Sequence, residues 1–203
     1  LLLLDASNRT GKITLTQNES NKTATISLSQ SGDTISSYGE WTISVSASPT
    51  SVSSDGGTSR ITASAKRTVY WASGDVTEET GNPTLSTNLG SLSSTSSPST
   101  LTLGENTSTS SRTATITATH GGKSATCTVT QSGHPTYTFN VSPINLSVTA
   151  AETNETLTVN SYKTVFKSDG SKTTESLNYE FSSNASWVNA ARTTTNTTYI
   201  TVA

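Results

Sequence analysis

The sequence has 203 residues, a formal net charge of −2 and an unusual share of hydroxyl side chains. Ser (37 residues) and Thr (42 residues) make up about 39% of the chain, whereas charged residues make up 13%. No apolar run is long enough to span a membrane, and the charge balance provides no basic surface for nucleic acid. The single Cys excludes an internal disulfide framework, and two His residues leave little for metal or acid–base chemistry.

The Ser and Thr residues alternate with apolar residues in several segments. Residues 23–29 read TATISLS, and the same alternation covers 112–119 and 125–130. A period of two places one class of residue on each face of a strand, and Thr is a good strand former. A disordered or mucin-like stalk does not need hydroxyl and apolar residues to alternate in this way. The composition therefore predicts a folded β protein whose hydroxyl side chains face solvent.

Two segments of similar sequence each end in Gln-Ser-Gly, at 30–32 and at 131–133. Each consists of two alternating stretches separated by a turn, which is typical of a β-hairpin. The hairpin is therefore predicted to be the C-terminal part of a repeated unit. The aligned stretches are 13–16 with 116–119, and 22–28 with 123–129.

A second sequence match begins after each Gln-Ser-Gly. WTISV at 41–45 aligns with YTFNV at 137–141, and the alignment continues without a gap as far as 70 and 166. Repeats of about a hundred residues are whole domains rather than solenoid units. The chain is thus expected to be a fragment of a longer polypeptide, with Leu1–Leu4 as one strand. The predicted units are 1–32, the C-terminal end of one domain; 33–133, a complete domain; and 134–203, a domain that lacks its C-terminal strands.

The fold predicted for these units is all-β, as tandem immunoglobulin-like β-sandwich domains. Seven or so short strands in about a hundred residues, with Gly-, Ser- and Pro-rich turns between them, are typical of that sandwich. No amphipathic helix is predicted. The strands predicted for the middle unit are 41–45, 60–64, 67–71, 85–92, 100–103, 112–119 and 124–131.

The end of the middle unit resembles a known family. RTATI, then GGKSAT, then TVTQSG between Arg112 and Gly133 resemble the end of a BACON-type domain, an immunoglobulin-like family of Bacteroidetes and their gut phages. NASWV at 184–188 resembles the mid-domain Trp segment of that family. The stretch 46–68 is similar to bacterial Ig-like repeats that are frequent in phage virion proteins. The resemblance implies an Ig-like fold without catalytic residues. The middle unit departs from the BACON pattern, because a Ser/Thr-rich stretch follows its Tyr-Trp pair.

Large aromatic residues are the candidates for ligand contact, because exposed rings can pack on the faces of sugars. Tyr70 and Trp71 are adjacent on a predicted strand, so their side chains point to opposite faces. One of the two is expected to face solvent, and Trp71 is the preferred candidate. Trp41 is in phase with neighbouring apolar residues and is predicted to lie in the core. The family resemblance implies that Trp187 is buried or half-buried.

The remaining reactive side chains are predicted to be structural. The acidic cluster at 75–79 lacks the ordered Asp spacing of a calcium loop and is predicted to be a solvated loop. His120 and His134 have no partner at metal-ligand spacing. Cys127 alternates in phase with apolar neighbours and is predicted to be a buried thiol. No Gly-x-Ser-x-Gly motif occurs, and neither catalytic residues nor metal or cofactor sites are predicted.

These observations favour a non-catalytic tandem Ig-like segment of a larger exposed structural or adhesion protein. The resemblance suggests a phage virion fibre or a capsid decoration protein as its setting, at the virion surface or another extracellular surface. The expected partners are other virion or surface proteins and host or mucosal glycans, with no cofactor, and an oligomer fits this role. The alternative is a bacterial cell-surface carbohydrate-binding module, BACON-like and accessory to an enzyme. A hydrolase lacks any supporting constellation of residues.

Overall fold

The computed structural model describes residues 7–148, 153–194 and 197–202, so the strand predicted at Leu1–Leu4 lies outside the described residues. The described residues form strands, turns and bends and contain no helix, which confirms the all-β prediction. Over the same ranges there is accordingly no helix of the length and apolarity that crossing a membrane requires.

The first two strands form a hairpin that is a sheet by itself. Arg9 lies opposite Gln30 at the open end of the hairpin, and Thr16 lies opposite Thr23 beside its turn. The turn closes where the Gln17 amide donates to the Lys22 carbonyl at 2.8 Å. Every residue of both strands is exposed. The strands are β1 (Arg9–Thr16) and β2 (Thr23–Gln30).

The next ten strands build two sheets. Six strands form one sheet around β6, which pairs with β3 and β4 along one edge and with β7 and β10 along the other. Four strands form the second sheet in the order β5-β12-β11-β8. The strands are β3 (Ile35–Tyr38), β4 (Thr42–Ser48), β5 (Ser51–Val52), β6 (Gly57–Trp71), β7 (Val76–Gly81), β8 (Thr84–Thr87), β9 (Ser91–Leu92), β10 (Ser99–Leu103), β11 (Arg112–His120) and β12 (Lys123–Gln131).

The two sheets pack face to face around one apolar core, and we call this pair of sheets the middle sandwich. Along β10 and β11 the apolar residues are buried, whereas most of the hydroxyl residues between them are not, which is the expected consequence of period-two alternation. Each large aliphatic side chain buried in this way stabilises the fold by about 1.5–3 kcal/mol. The core consists of Ile61, Leu85, Leu101, Leu103, Ala114, Ile116, Ala118 and Val129.

Three strands differ from those predicted. The segments 60–64 and 67–71 belong to one strand, β6. The predicted strand 85–92 is divided between β8 and β9, which belong to different sheets. The division falls where Gly90 adopts a φ of 77° and the Asn88 side chain accepts a hydrogen bond from the Thr115 amide. The acidic stretch is mostly strand β7 rather than a loop, so that prediction was wrong.

Gln131 and Arg112 form a polar pair, and hydrogen bonds from Gln131 connect the end of β12 to two loops. The Gln131 side chain is fully buried, and its amide nitrogen donates to the carbonyls of Ser53, Ser54 and Gly104 at 2.9–3.2 Å. Its amide oxygen accepts from Nε of Arg112 at 2.8 Å. Buried polar groups require such partners, because an unpaired one costs about 1–3 kcal/mol. The Gln of the repeated Gln-Ser-Gly therefore has a structural role in this sandwich.

The last five strands form one sheet, in the order β13-β14-β17-β16 with β15 also paired to β14. This sheet repeats the pairing of the six-stranded sheet. Tyr137 lies on β13, which pairs with β14, and Trp41 comes just before β4, which pairs with β6. The sequence repeat is therefore also a repeat of structure. The strands are β13 (Gly133–Ser142), β14 (Thr153–Phe166), β15 (Lys172–Ser176), β16 (Val188–Thr194) and β17 (Thr197–Val202).

The repeat extends to the register of individual residue pairs. Ile43 lies opposite Ala65 in the middle sandwich, and Phe139 lies opposite Ser161 in the last sheet. The register in which β6 pairs with β7 is likewise repeated where β14 pairs with β15. The last sheet begins at Gly133, one residue before the predicted start of the third unit, and the division of the chain into three units stays a prediction.

Candidate functional site

One end of the middle sandwich carries a group of aromatic and charged side chains, which we call the aromatic–arginine cluster: Tyr38, Trp41, Arg67 and His120. The guanidinium carbon of Arg67 lies 3.7 Å from the centre of the Tyr38 ring and 4.7 Å from that of Trp41. The Trp41 and His120 rings meet edge to face, with centroids 4.4 Å apart. Both contact geometries are attractive, by about 0.5–2 kcal/mol each.

Four separate segments bring the cluster together. Tyr38 ends β3, Trp41 precedes β4, Arg67 lies on β6 and His120 ends β11. Arg67 is on the inner face of β6, since it is two residues before the buried Val69. A charged residue at a strand position where the alternation predicts a core residue is the sequence signal that marks this site. Neither Tyr38 nor Arg67 was among the site residues predicted from the sequence.

Ion pairs balance the charge around the cluster. Arg67 donates to the Glu79 carboxylate at 2.7 Å from both Nε and a terminal nitrogen. Lys66, on the outer face, pairs with Glu78 at 2.8 Å. A hydrogen bond from Lys123, together with its positive charge, lowers the pKa of Glu40. These pairs are mostly exposed and add little to stability. Their effect is to leave the site close to neutral.

A shallow groove of about 360 Å³ runs over the adjoining outer surface of the sheet. Its walls combine hydroxyl groups with charged groups from all three ion pairs. Tyr38 does not line this groove, because it lies opposite the inward-facing Val69. The groove offers hydroxylated ligands donors and acceptors, and the half-exposed Tyr38 ring separately offers an apolar face beside Arg67. The lining residues are Glu40, Thr42, Ser44, Ser64, Lys66, Arg67, Thr68 and Glu78.

Tyr70 and Trp71, the predicted ligand-facing pair, point to opposite faces of β6, as adjacent strand residues must. Tyr70 is the exposed member, at 44%, whereas Trp71 is half-buried and donates from Nε1 to the Thr77 hydroxyl at 2.9 Å. The preference for Trp71 as the exposed ring was therefore wrong. Trp71 is in phase with the buried Val69, which turns it inward.

The other two tryptophans also differ from expectation. Trp41 is half-buried at the end of the sandwich and belongs to the aromatic–arginine cluster instead of the core cluster. Trp187 precedes β16 and is 54% exposed, so the expectation of burial from the family resemblance was wrong for this residue. Among the described residues, the tryptophan with an exposed side chain is therefore Trp187, in the predicted unit 134–203.

The remaining reactive groups have structural contacts. His134 donates from its backbone amide to the Ser108 carbonyl, and its ring lies 3.7 Å from Glu105. Asp75 accepts a hydrogen bond from the Ser73 hydroxyl at 3.1 Å. Across the described ranges, no three His, Cys, Asp or Glu side chains gather as a metal site would require. The chemistry that this arrangement offers is binding through rings, hydroxyls and ion pairs.

Cys127 is half-buried against the core, opposite Ile116, and this burial raises the pKa of its thiol. A raised pKa lowers the fraction of reactive thiolate near neutral pH. We therefore expect Cys127 to react with a disulfide reagent at least about tenfold more slowly than a free cysteine. Stopped-flow labelling of the native and the denatured protein measures this. Equal rates in both states would contradict the burial.

Gly121 and Gly122 form the turn between β11 and β12, with φ of 53° and 77°. A Cβ at Gly121 would collide with the Trp41 indole, whereas one at Gly122 would meet nothing within 4 Å. Gly121→Ala is therefore expected to displace Trp41 and to shift the ring proton resonances of His120. Gly122→Ala is the matched control, since it carries only the strain of a left-handed alanine, about 1–2 kcal/mol. Identical His120 spectra for the two variants would contradict the contact.

Comparison with known proteins finds no relative of the chain. No family model matches it, and no curated protein or solved structure matches it either.

Proposed function

We propose that this chain is a non-catalytic segment of a larger exposed structural or adhesion protein, built from tandem immunoglobulin-like β-sandwich domains. The observation that carries the proposal is the repeated sheet: β13 to β17 reproduce the order in which β4, β6, β7, β9 and β10 pair, and they keep the register of the β4–β6 and β6–β7 pairs. A segment made by repeating one solvated sandwich is suited to extending from a surface. Its Thr- and Ser-rich outer faces keep it soluble at low charge.

The setting that we propose is a phage virion, as a fibre or a capsid decoration protein. The resemblance of the Arg112–Gly133 segment to BACON-type and phage-borne Ig-like repeats supports this setting. In a virion many copies act together, so weak contacts with host or mucosal glycans and with other surface proteins gain strength through effective concentration.

Immunogold electron microscopy with antibodies raised against this chain tests the setting. The samples are purified phage particles and bacterial cells from the same culture. Gold on the phage heads or fibres is the expected result. Gold confined to the bacterial surface would overturn the virion setting and favour the alternative of a cell-surface carbohydrate-binding module accessory to an enzyme.

The aromatic–arginine cluster favours glycan binding as the activity in either setting. Tyr38 is half-exposed, and the Arg67 guanidinium stacks on its ring. Aromatic faces beside fixed donors are a common way to hold a sugar ring. One such site per sandwich gives weak binding that becomes useful only when many copies are presented.

Beads that carry many copies of the chain test this activity on immobilised mucin. We expect the beads to be retained at least about 100-fold more strongly than the monomer. Tyr38→Ala should abolish the retention, and Tyr70→Ala is the matched control, because Tyr70 is a tyrosine of similar exposure outside the cluster. Equal retention of both variants, or none by the unaltered chain, would overturn the glycan-binding proposal.

A further inference from the structure

A single residue separates the middle sandwich from the last sheet. β12 ends at Gln131 and β13 begins at Gly133, so only Ser132 lies between them. Both backbone polar groups of Ser132 bind the middle sandwich. Its amide donates to the Val52 carbonyl at 3.1 Å, and its carbonyl accepts from the Asn106 side chain at 2.9 Å. The residue that joins the two parts is therefore tied to the first of them by two hydrogen bonds.

Asn106, which holds the Ser132 carbonyl, is itself fixed in place. It is 3% exposed, and its side-chain nitrogen also donates to the Ser110 carbonyl at 2.9 Å. Its side-chain oxygen accepts from the Ser108 amide at 3.2 Å, and its backbone amide donates to the Ser54 carbonyl at 2.7 Å. A buried amide with this many partners is a rigid group, because each partner that it lost would leave a polar atom unsatisfied.

The first strand of the last sheet also binds the middle sandwich. The register of β13 with β14 shifts between Gly133 and Thr136, and it passes over His134 and Pro135. Such a bulge re-aims backbone groups, and here the His134 amide donates to the Ser108 carbonyl of the middle sandwich at 2.7 Å. The Pro135 ring fixes its own φ and restricts the conformation of His134. The bulge therefore forms a hydrogen bond across the joint from a stiff piece of backbone.

Gly133 brings the two parts into close contact. It is buried, and it lies opposite Phe166 at the end of β14. A Cβ at this position would collide with the Thr109 carbonyl of the middle sandwich and would lie 3.0 Å from the Phe166 Cβ of the last sheet. The backbone at Gly133 is thus packed between both parts, and the packing leaves no room for a side chain.

The chain enters the middle sandwich in a similar way. Ile35, at the start of β3, pairs with Trp71 at the end of β6. The start of β13 likewise pairs with the end of β14. The turn after β6 also holds the incoming chain, since the Ala72 amide donates to the Thr34 carbonyl at 2.8 Å. Both units therefore fix the incoming backbone against the end of their longest strand.

We propose that the joint at Ser132 holds the middle sandwich and the last sheet in one fixed orientation, so that consecutive units extend as a stiff rod. The surface that the middle sandwich contributes is its loop at 104–111, and the partner of that surface is the first strand of the next unit. A stiff rod keeps the units, and any binding sites on them, at a set spacing, which decides the multivalent targets that they can engage together. The stiffness depends neither on glycan binding nor on a virion setting.

Residual dipolar couplings of backbone amides, from the full chain in a dilute liquid crystal, test the joint. Couplings from the middle sandwich and from β13–β15 are expected to fit one alignment tensor. Insertion of Gly-Ser-Gly-Ser after Ser132 should lower the alignment of the last sheet to less than about half that of the middle sandwich, because a flexible linker lets the two parts reorient. Two different tensors in the unaltered chain would overturn the proposal. One shared tensor in the insertion variant would overturn it as well, because contacts outside the joint would then fix the orientation.

Gly133→Ala and Gly104→Ala test the close contact at the joint. The collision with Thr109 should turn the last sheet in Gly133→Ala, so that its couplings no longer fit the orientation of the unaltered chain. Gly104 lies in the same loop as Thr109, and a Cβ there would meet nothing within 4 Å, so Gly104→Ala should keep that orientation. An unchanged orientation in Gly133→Ala would contradict the proposal. If this variant unfolds the last sheet, the insertion variant still decides, since it keeps every residue of both parts.

Discussion

Replacing Ile116 by Ala is expected to lower the free energy of unfolding of the middle sandwich by about 2–5 kcal/mol. The Ile116 side chain is fully buried, and its neighbours Ala114 and Ala118 on the same face are too small to fill the space that the change leaves. Both the loss of buried apolar surface and the residual cavity contribute to this cost. The change removes no hydrogen bond.

The matched control is Ile13→Ala. Ile13 holds the same position in the β1–β2 hairpin but is 48% exposed, so its truncation in dilute solution should cost less than about 1 kcal/mol. Guanidinium unfolding followed by far-UV circular dichroism measures both, because that signal includes the strands of the hairpin as well as those of the middle sandwich. Equal costs for the two variants would contradict the burial of β11 against the six-stranded sheet.

Replacing Gln131 by Ala is expected to lower the free energy of unfolding by about 3–5 kcal/mol. The change leaves the carbonyls of Ser53, Ser54 and Gly104 without the donor that they share. Arg112 loses one of its acceptors at the same time. Each of these carbonyls keeps one other donor, from the Gly56 amide, the Asn106 amide or Arg112. The expected cost is therefore that of four lost hydrogen bonds at about 0.5–1.5 kcal/mol each, which is why a polar residue has an effect as large as a core residue.

Gln30→Ala is the control for this prediction, because Gln30 ends β2 in the same register and is exposed. In dilute solution its replacement should change stability by less than about 0.5 kcal/mol. The same unfolding experiment measures the pair. A cost below about 1 kcal/mol for Gln131→Ala would mean that the two loops do not depend on this side chain.

The hairpin at 112–131 was predictable because its information is local. Alternation fixes which residues share a face, and the Gly-containing turn sets the register. The observed strands begin and end within one residue of those predicted, and Cys127 lies in the predicted phase. The match between this hairpin and that at 13–28 likewise follows from sequence spacing alone.

Other elements depend on long-range pairing, which spacing does not reveal. The segment 85–92 reads as one strand, but β8 pairs with β11 and β9 pairs with β10, so its two halves belong to different sheets. Half of β7 consists of glutamate and glycine, and these residues are strand because the β7 backbone pairs with β6 while Glu78 and Glu79 meet cations across the pair. Such residues are unfavourable in strands when considered alone.

The candidate site was predictable only in part for the same reason. Because Tyr70 and Trp71 are adjacent on a strand, the sequence alone predicts that their side chains point to opposite faces. Which of the two points to solvent depends on the buried Val69, which is in phase with Trp71. Tyr38 and Arg67 come from different strands and form a site only once β3 pairs with β6. Local patterns therefore indicate strands and faces, and the site arises from how the strands assemble.

The central claim is that the chain builds the same sheet twice, and cross-strand NOEs between backbone protons test it most directly. Contacts are predicted between Ile43 and Ala65 in the middle sandwich and between Phe139 and Ser161 in the last sheet. Both pairs should be present in one isotope-labelled sample of the full chain. A last sheet in which Phe139 lies opposite a neighbour of Ser161, one residue out of register, would contradict the account.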